Sequence, residues 1–153
     1  HMPNRYYKET IEEKVDFFAL DTVNFDEKQI SWLNSSLEEM GRKNHKKLII
    51  VAGHYPLRSF GWHGGSRYLR EKLLPILCKY NVSIYLSGHE HSLQVFPESI
   101  FEDKKCSTLS HIISGSAAKT DKIKNFFIGS REKNAHKLLS RPAVTIKLTG
   151  VQF

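Results

Sequence analysis

The sequence predicts an α/β fold built around parallel strands. Short apolar runs alternate with amphipathic helical patterns, in the order strand, helix, strand, helix, strand. Strands joined by crossover helices run parallel. Two of the three strands end in a Gly-His pair, and in sheets of this kind ligands gather beyond the carboxyl ends of the strands.

The first strand and helix are predicted before Gly41. Val15 to Leu20 is a short apolar run typical of a buried strand. Asp26 stands three residues before Gln29, which is a capping-box arrangement. The helix that follows is expected to end at Gly41 as its C′ residue. Its apolar residues recur at helical spacing: Ile30, Leu33, Leu37 and Met40.

The second half of the pattern begins with a strand over Lys46 to Ala52. Ser66 is expected to cap a further helix, and Pro75 should kink that helix or move its boundary. Thr120 to Arg141 is polar and basic, which favours a long loop. Further strands are predicted over three apolar segments: Val82–Leu86, Leu109–Ile113 and Ala143–Leu148.

Length and composition are those of one globular domain. The chain has 153 residues, of which 40% are hydrophobic and 25% charged. We expect no membrane-spanning segment, because no apolar run approaches the ~18–20 residues that a span needs. The only cysteines, Cys78 and Cys106, are too few for a disulfide scaffold or an all-cysteine zinc site.

The net charge is positive, at +7 from 23 Lys and Arg against 16 Asp and Glu. Local concentrations lie at Lys43–Lys47 and Lys119–Lys137. Clustered basic residues can neutralise nucleic-acid phosphates, but the chain has no RNP-type motif, zinc-finger spacing or helix-turn-helix signal. We therefore expect a solvated basic surface, with nucleic-acid binding through Lys119–Lys137 as the less favoured alternative. A positive field also attracts anionic small substrates.

Histidines provide the first functional signal. The motifs Gly53-His54-Tyr55-Pro56 and Gly88-His89-Glu90-His91 each follow an apolar strand directly. Glycine at a strand end allows a sharp turn, and neutral imidazole is a common ligand of zinc and iron. His89 and His91 would share a face of an extended segment. From the pattern alone, metal ligands and hydrogen-bonded loop histidines remain equally open.

These residues resemble the calcineurin-like metallophosphoesterases and, within them, the purple (tartrate-resistant) acid phosphatases. The resemblance rests on three stretches: FFALDT at Phe17–Thr22, IIVAGHYPLRSFGWHGG at Ile49–Gly65 and LLPILCKYNVSIYLSGHEHSLQ at Leu73–Gln94. It implies half of a four-layer αββα sandwich, with a mixed sheet and helices on one face. It also implies an enzyme that hydrolyses phosphate monoesters at a dinuclear centre of iron with zinc, iron or manganese.

The resemblance carries over to individual residues. It implies that His54 and His89 bind one ion and that His91 binds the other. It implies that His63 is the general acid or orients the substrate, although an exposed loop histidine is the alternative. Asp21 matches a structural position and not a ligand. Glu90 is expected to face solvent or to support a ligand.

The sequence also departs from that family. The motifs that supply its aspartates, tyrosine and asparagine (Gly-Asp-x-x-Tyr and Gly-Asn-His among them) do not occur in the 153 residues. Residues 1–153 are therefore expected to form a single domain equivalent to the carboxyl-terminal half, with an incomplete metal site. Such a chain would be inactive or weakly active by itself. The alternative is a non-catalytic scaffold or interaction protein with the phosphatase fold.

Two further expectations concern assembly and location. A half domain would leave an apolar sheet face in water, so we expect a homodimer through that face. The resemblance suggests a secreted or lumenal location. Tyr68 lies close to where mammalian members of the family have a cysteine, so we do not expect that family disulfide here.

Overall fold

The computed structural model describes residues 4–42, 47–97 and 106–116. In chain order the elements are β1 Tyr7–Ile11, β2 Val15–Ala19, α1 Glu27–Arg42, β3 Leu48–Gly53, α2 Arg67–Lys72, α3 Leu74–Lys79, β4 Ile84–Ser87, β5 Leu93–Phe96 and β6 Ser110–Ser114. The predicted strand Ala143–Leu148 and the predicted loop Thr120–Arg141 lie outside the described residues, as do most of the two basic clusters.

The strands form one mixed sheet in the order β1-β2-β3-β4-β6-β5. The four central strands, β2, β3, β4 and β6, are parallel to one another. The two edge strands, β1 and β5, are antiparallel to their neighbours. The predicted α/β class and the mixed sheet are confirmed.

Helix α1 begins as predicted but ends later. The amide of Gln29 donates to Asp26 Oδ1 at 2.9 Å, which confirms the cap. The helix then continues through Gly41 to Arg42, so the prediction that Gly41 ends it is wrong. Glycine permits a left-handed turn but does not impose one. An ion pair between Arg42 and Glu38 across the last turn, at 2.8 Å, favours the longer helix.

The second helical pattern is split in two. Ser66 Oγ accepts a hydrogen bond from the Leu69 amide at 3.2 Å, which confirms this residue as the cap of α2. The helix is interrupted at Leu73, and α3 starts with Pro75 in its first turn. Proline is tolerated there because its missing N–H would have had no helical partner. The boundary shift predicted from Pro75 is therefore confirmed.

The two faces of the sheet differ in what lies against them. On the covered face, one row across the strands is Phe18, Val51, Tyr85 and His111. This row is fully buried. Phe18, Val51 and Tyr85 share one core cluster with apolar residues from all three described helices: Leu33, Leu37, Leu69, Ile76 and Leu77.

The open face carries the alternate residues of the same strands. Its rows are Phe17, Ile50, Ile84, Ser110 and Ala19, Ala52, Leu86, Ile112. Most of these side chains are only partly buried. Towards the rim Leu48 is 41% exposed and Val95 is 48% exposed. Among the described residues, no helix packs on this face, which confirms helices on one face only.

A disulfide joins Cys78 at the end of α3 to Cys106, which precedes β6. Both cysteines are buried and their Cα atoms are 4.5 Å apart. Two cysteines are too few for a scaffold of many disulfides, and their 28-residue separation carries no local signal that predicts this pairing.

Candidate active site

The carboxyl ends of β2, β3 and β4 lie side by side and bring three loops to one edge of the sheet. Thr22 follows β2, His54 follows β3 and His89 follows β4. The turns after β3 and β4 are joined directly, because the Gly88 amide donates to the carbonyl of His54 at 3.1 Å. The parallel topology therefore brings the two Gly-His motifs together, as the sequence predicted.

The turn after β3 is fixed through the backbone of Tyr55. Its amide donates to Thr22 Oγ1 at 2.9 Å, and its carbonyl accepts from the hydroxyl of Tyr85 at 2.7 Å. Gly53 makes this arrangement possible, because a Cβ there would overlap the Thr22 side chain and lie 2.9 Å from the Tyr85 hydroxyl. A core tyrosine thus holds the backbone next to His54.

The turn after β4 differs from the prediction. His89, and not Gly88, has the left-handed backbone, with φ of 67°. A Cβ at Gly88 would meet nothing closer than 4.0 Å, so glycine is not needed there for space. A non-glycine residue with positive φ is uncommon and marks a site held by its surroundings. The expectation that His89 and His91 share an extended segment is wrong, since tight turns link Gly88 to Glu90 and Glu90 to Ser92.

The imidazoles of His54, His63 and His89 converge. His54 Nε2 lies 3.1 Å from His89 Nδ1, and the His63 ring centroid lies 4.8 Å from that of His89. The pKa of His89 is lowered, first by burial and then by the neighbouring His54 and His63, with a smaller effect of His91. The neighbouring imidazoles disfavour the charged form of His89 and so keep a nitrogen lone pair of its ring available for a cation.

The spacing of the first pair fits two ligands of one metal ion. Nitrogens about 2.0–2.1 Å from a zinc ion lie roughly 3.0–3.4 Å apart at common ligand angles, and the observed distance is 3.1 Å. Within residues 4–42, 47–97 and 106–116, however, no group of three or more His, Cys, Asp or Glu side chains is arranged to hold a metal ion. The pair therefore fits part of a site that needs further donors.

Glu90 belongs to this site although its sequence position suggested little. It is 1% exposed, so of its two expected placements the solvent-facing one is wrong. Its Oε1 accepts hydrogen bonds from the backbone amides of His63 and Gly64, at 2.8 and 2.9 Å. The sequence gives little indication of these contacts, because a Glu between two histidines carries no pattern that predicts a distant loop packing over it.

Asp21 organises the loop after β2. Its carboxylate accepts from the amides of Val23 and Asn24 and from the Arg5 side chain. Burial alone would raise the pKa of Asp21, but the hydrogen bonds from Arg5 and Asn24 outweigh burial and hold that pKa below its usual value. These contacts fit the structural position that the resemblance implied for it.

Comparison with known proteins gives the family of this architecture and site. The profile of the calcineurin-like phosphoesterases matches residues 4–93, more than half of the chain. The chain belongs to that family. Strands β1 to β4, the three described helices and the strand-end histidines lie within the matched segment.

Individual relatives narrow the likeness to acid phosphatases. Purple acid phosphatase 17 of Arabidopsis thaliana is 33% identical over 114 residues, covering 74% of this chain and 31% of the relative. Tartrate-resistant acid phosphatase type 5 of Oryctolagus cuniculus is 42% identical over 66 residues, covering 43% of this chain and 19% of the relative. The resemblance stated from sequence is confirmed at this level.

Among solved structures, the chain is similar to GAP50, described as the anchor in the inner membrane complex of Plasmodium. The TM-score is 0.60 at 29% identity, over 82% of this chain and 42% of that one. The chain thus spans between about a fifth and two fifths of the length of these relatives. In the part of the chain that the structure describes, no helix has the length and apolar character to cross a membrane.

Proposed function

We propose that this chain supplies the histidine side of a phosphate-monoester hydrolase. The observation that carries the proposal is the convergence of His54 and His89, 3.1 Å apart, with His63 beside them at the carboxyl edge of a parallel sheet. In this assignment His54 and His89 bind one metal ion and His91 binds a second. The ions, iron with zinc, iron or manganese, neutralise phosphate charge and activate water when they are bound.

His63 is assigned to the leaving group. It stands on an exposed loop beside His89 and away from the sheet core. An imidazolium in that position can donate a proton to the departing alkoxide, as a general acid does. The net charge of +7 favours the approach of an anionic substrate.

The chain is proposed to be one domain equivalent to the carboxyl-terminal half of the family domain, and so to hold an incomplete centre. Three imidazoles do not balance the charge of two metal ions as carboxylates would. We therefore expect little or no hydrolysis by the chain alone, and activity from a longer polypeptide that supplies the family's aspartates, tyrosine and asparagine.

The proposal is tested by hydrolysis of p-nitrophenyl phosphate with added iron, zinc or manganese, using the chain and the longer polypeptide. His54→Ala and His89→Ala should each remove activity and weaken zinc binding in calorimetry. His45→Ala, a histidine outside both motifs, is the matched control. Full activity and unchanged zinc affinity in His54→Ala would overturn the assignment.

A non-catalytic scaffold is the second candidate function. It is favoured by the similarity to the Plasmodium protein, which is described as an anchor and is 29% identical. The four histidines argue for the enzyme, because a scaffold has no use for them. A longer polypeptide that binds no metal and cleaves no phosphate ester would leave the scaffold as the better assignment.

The open face is proposed to be covered by a second copy when the chain is isolated. Six strands about 4.8 Å apart give a footprint of roughly 450 Å², which is comparable to the largest apolar patch of a typical monomer. Two such sheets can pack face to face through an isologous contact. Sedimentation should show a dimer, and a compact monomer at high concentration would contradict the proposal.

A further inference from the structure

Glu90 has an environment unlike that of the histidines on either side of it. Its side chain is 1% exposed, whereas His89 and His91 are partly exposed. A buried carboxylate is costly unless donors surround it. Two backbone amides meet this need, because those of His63 and Gly64 both donate to Glu90 Oε1, at 2.8 and 2.9 Å.

The surrounding chain leaves room for this side chain at two glycines. A Cβ at Gly61 would overlap the Glu90 carboxylate, and a Cβ at Gly115 would overlap its carbonyl oxygen. The loop that carries His63 therefore passes directly against the carboxylate, and the turn after β6 passes against the Glu90 backbone. The contact is a close fit between three separate segments of the chain.

The same loop has a second attachment further from His63. The Phe60 amide donates to Gln94 Oε1 at 2.9 Å, and the Phe60 ring packs on Phe96 with 5.0 Å between centroids. These contacts hold the start of the loop to β5. At its far end, the bond from the His63 amide to Glu90 Oε1 acts on the backbone of His63 itself.

We propose that Glu90 is the positioning residue that sets His63 over the His54–His89 pair. The inference rests on the proposed function, in which His63 donates the proton to the leaving group. The carboxylate fixes the peptide of His63 and Gly64, so that the exposed imidazole stands 4.8 Å from the His89 ring. The same short turn carries His89, Glu90 and His91. Glu90 therefore links the loop of the proposed proton donor, His63, to the turn that carries two of the proposed metal ligands.

The test uses NMR on the whole chain without metal. In Glu90→Ala, amide exchange at His63 and Gly64 should accelerate by about tenfold or more, because charge-assisted hydrogen bonds are lost. The ring-proton NOE between His63 and His89 should vanish. Glu90→Gln keeps an acceptor oxygen at the same reach and should retain the NOE and most of the protection. Glu71→Ala, an exposed glutamate on α2, is the control.

Two outcomes would overturn the proposal. One is an unchanged exchange rate and NOE in Glu90→Ala; the other is faster exchange spread evenly over the sheet, which would make Glu90 a general core residue. If Glu90→Ala does not fold, Glu90→Asp replaces it, because its shorter carboxylate should lose the NOE that Glu90→Gln keeps. A zinc titration run in parallel tests the proposed function separately, since failure to bind zinc would leave the NOE result standing.

Discussion

The two faces of the sheet carry similar side chains but have different neighbours. The row Phe18, Val51, Tyr85 lies under the helices and is fully buried, whereas the next row, Phe17, Ile50, Ile84, is only partly buried. Apolar residues on both faces of a strand are typical of a sheet that is covered twice. The described helices cover it once, and the open face is the surface that the proposed second layer of protein would cover.

Paired substitutions on the two faces should give the largest effect. Leu77→Ala removes a fully buried side chain from α3 and should lower the free energy of unfolding by about 3–5 kcal/mol. Ile84→Ala on the open face should cost less, about 1–2 kcal/mol in dilute solution, because its side chain is only partly buried. Urea unfolding at low protein concentration measures both. Equal losses would contradict the difference between the faces, and an Ile84→Ala cost that grows with concentration would support the dimer.

Reduction of the disulfide should cause the second-largest loss of stability. Cys78 and Cys106 close a loop of 28 residues between the helix layer and the sheet. Chain entropy predicts a loss of about 3–4 kcal/mol when that loop is opened in the unfolded state. Urea unfolding with and without dithiothreitol measures the loss. The double variant with both cysteines replaced by alanine is the control, and it should not respond to the reductant.

Acid should destabilise the covered face through His111. Its ring lies between Tyr85 and Phe96, its Nε2 is 2.9 Å from Ser87 Oγ, and burial lowers its pKa to about 3. The unfolded chain takes up this proton near pH 6.5 and the folded chain only near pH 3. The stability that the neutral His111 contributes is therefore fully present above pH 6.5. It is lost as the pH falls, which lowers the free energy of unfolding by about 3 kcal/mol at pH 4.

The matched variant for this measurement is His111→Gln. Glutamine can keep a hydrogen bond to Ser87 but does not titrate. Urea midpoints between pH 7.5 and pH 4 should fall more steeply in the parent chain than in the variant. If the urea midpoints of the two proteins fall equally with pH, another group dominates the acid response. Water would then reach His111 more easily than its burial indicates.

Sequence reasoning predicted those elements whose signals are local. The cap at Asp26, the break at Pro75 and the central strands depend on short-range patterns, and the structure confirms them. The reciprocal half of the capping box is not made, because the Gln29 side chain bonds to the backbone of Asp21. Strands β1 and β5 were missed. The first is polar because it lies at an edge and four of its five residues are exposed, and the second directly follows the histidine turn.

At the site, the convergence of His54 and His89 followed from parallel topology alone. The positions of Glu90 and Tyr85 did not, because each acts on a loop that is distant in sequence: Glu90 on residues 63 and 64, and Tyr85 on residue 55. Such contacts depend on how loops pack after the sheet has formed. The left-handed backbone at His89 was also missed, since positive φ is expected at glycine and the motif offers Gly88 just before it.

The smallest expected change in stability is in the helix layer, at Gly41 of α1. Gly41 lies in the last turn of α1 with a helical backbone, and a Cβ there would meet nothing within 4 Å. Alanine restricts the unfolded chain and favours the helix, so Gly41→Ala should stabilise the protein by about 0.5–1 kcal/mol. Thermal unfolding measures this small gain, with Gly64→Ala as the contrast, because Gly64 has φ of 72° and alanine is strained there. A loss of stability in Gly41→Ala would mean that this residue takes up the left-handed helix end that its position in the sequence first suggested.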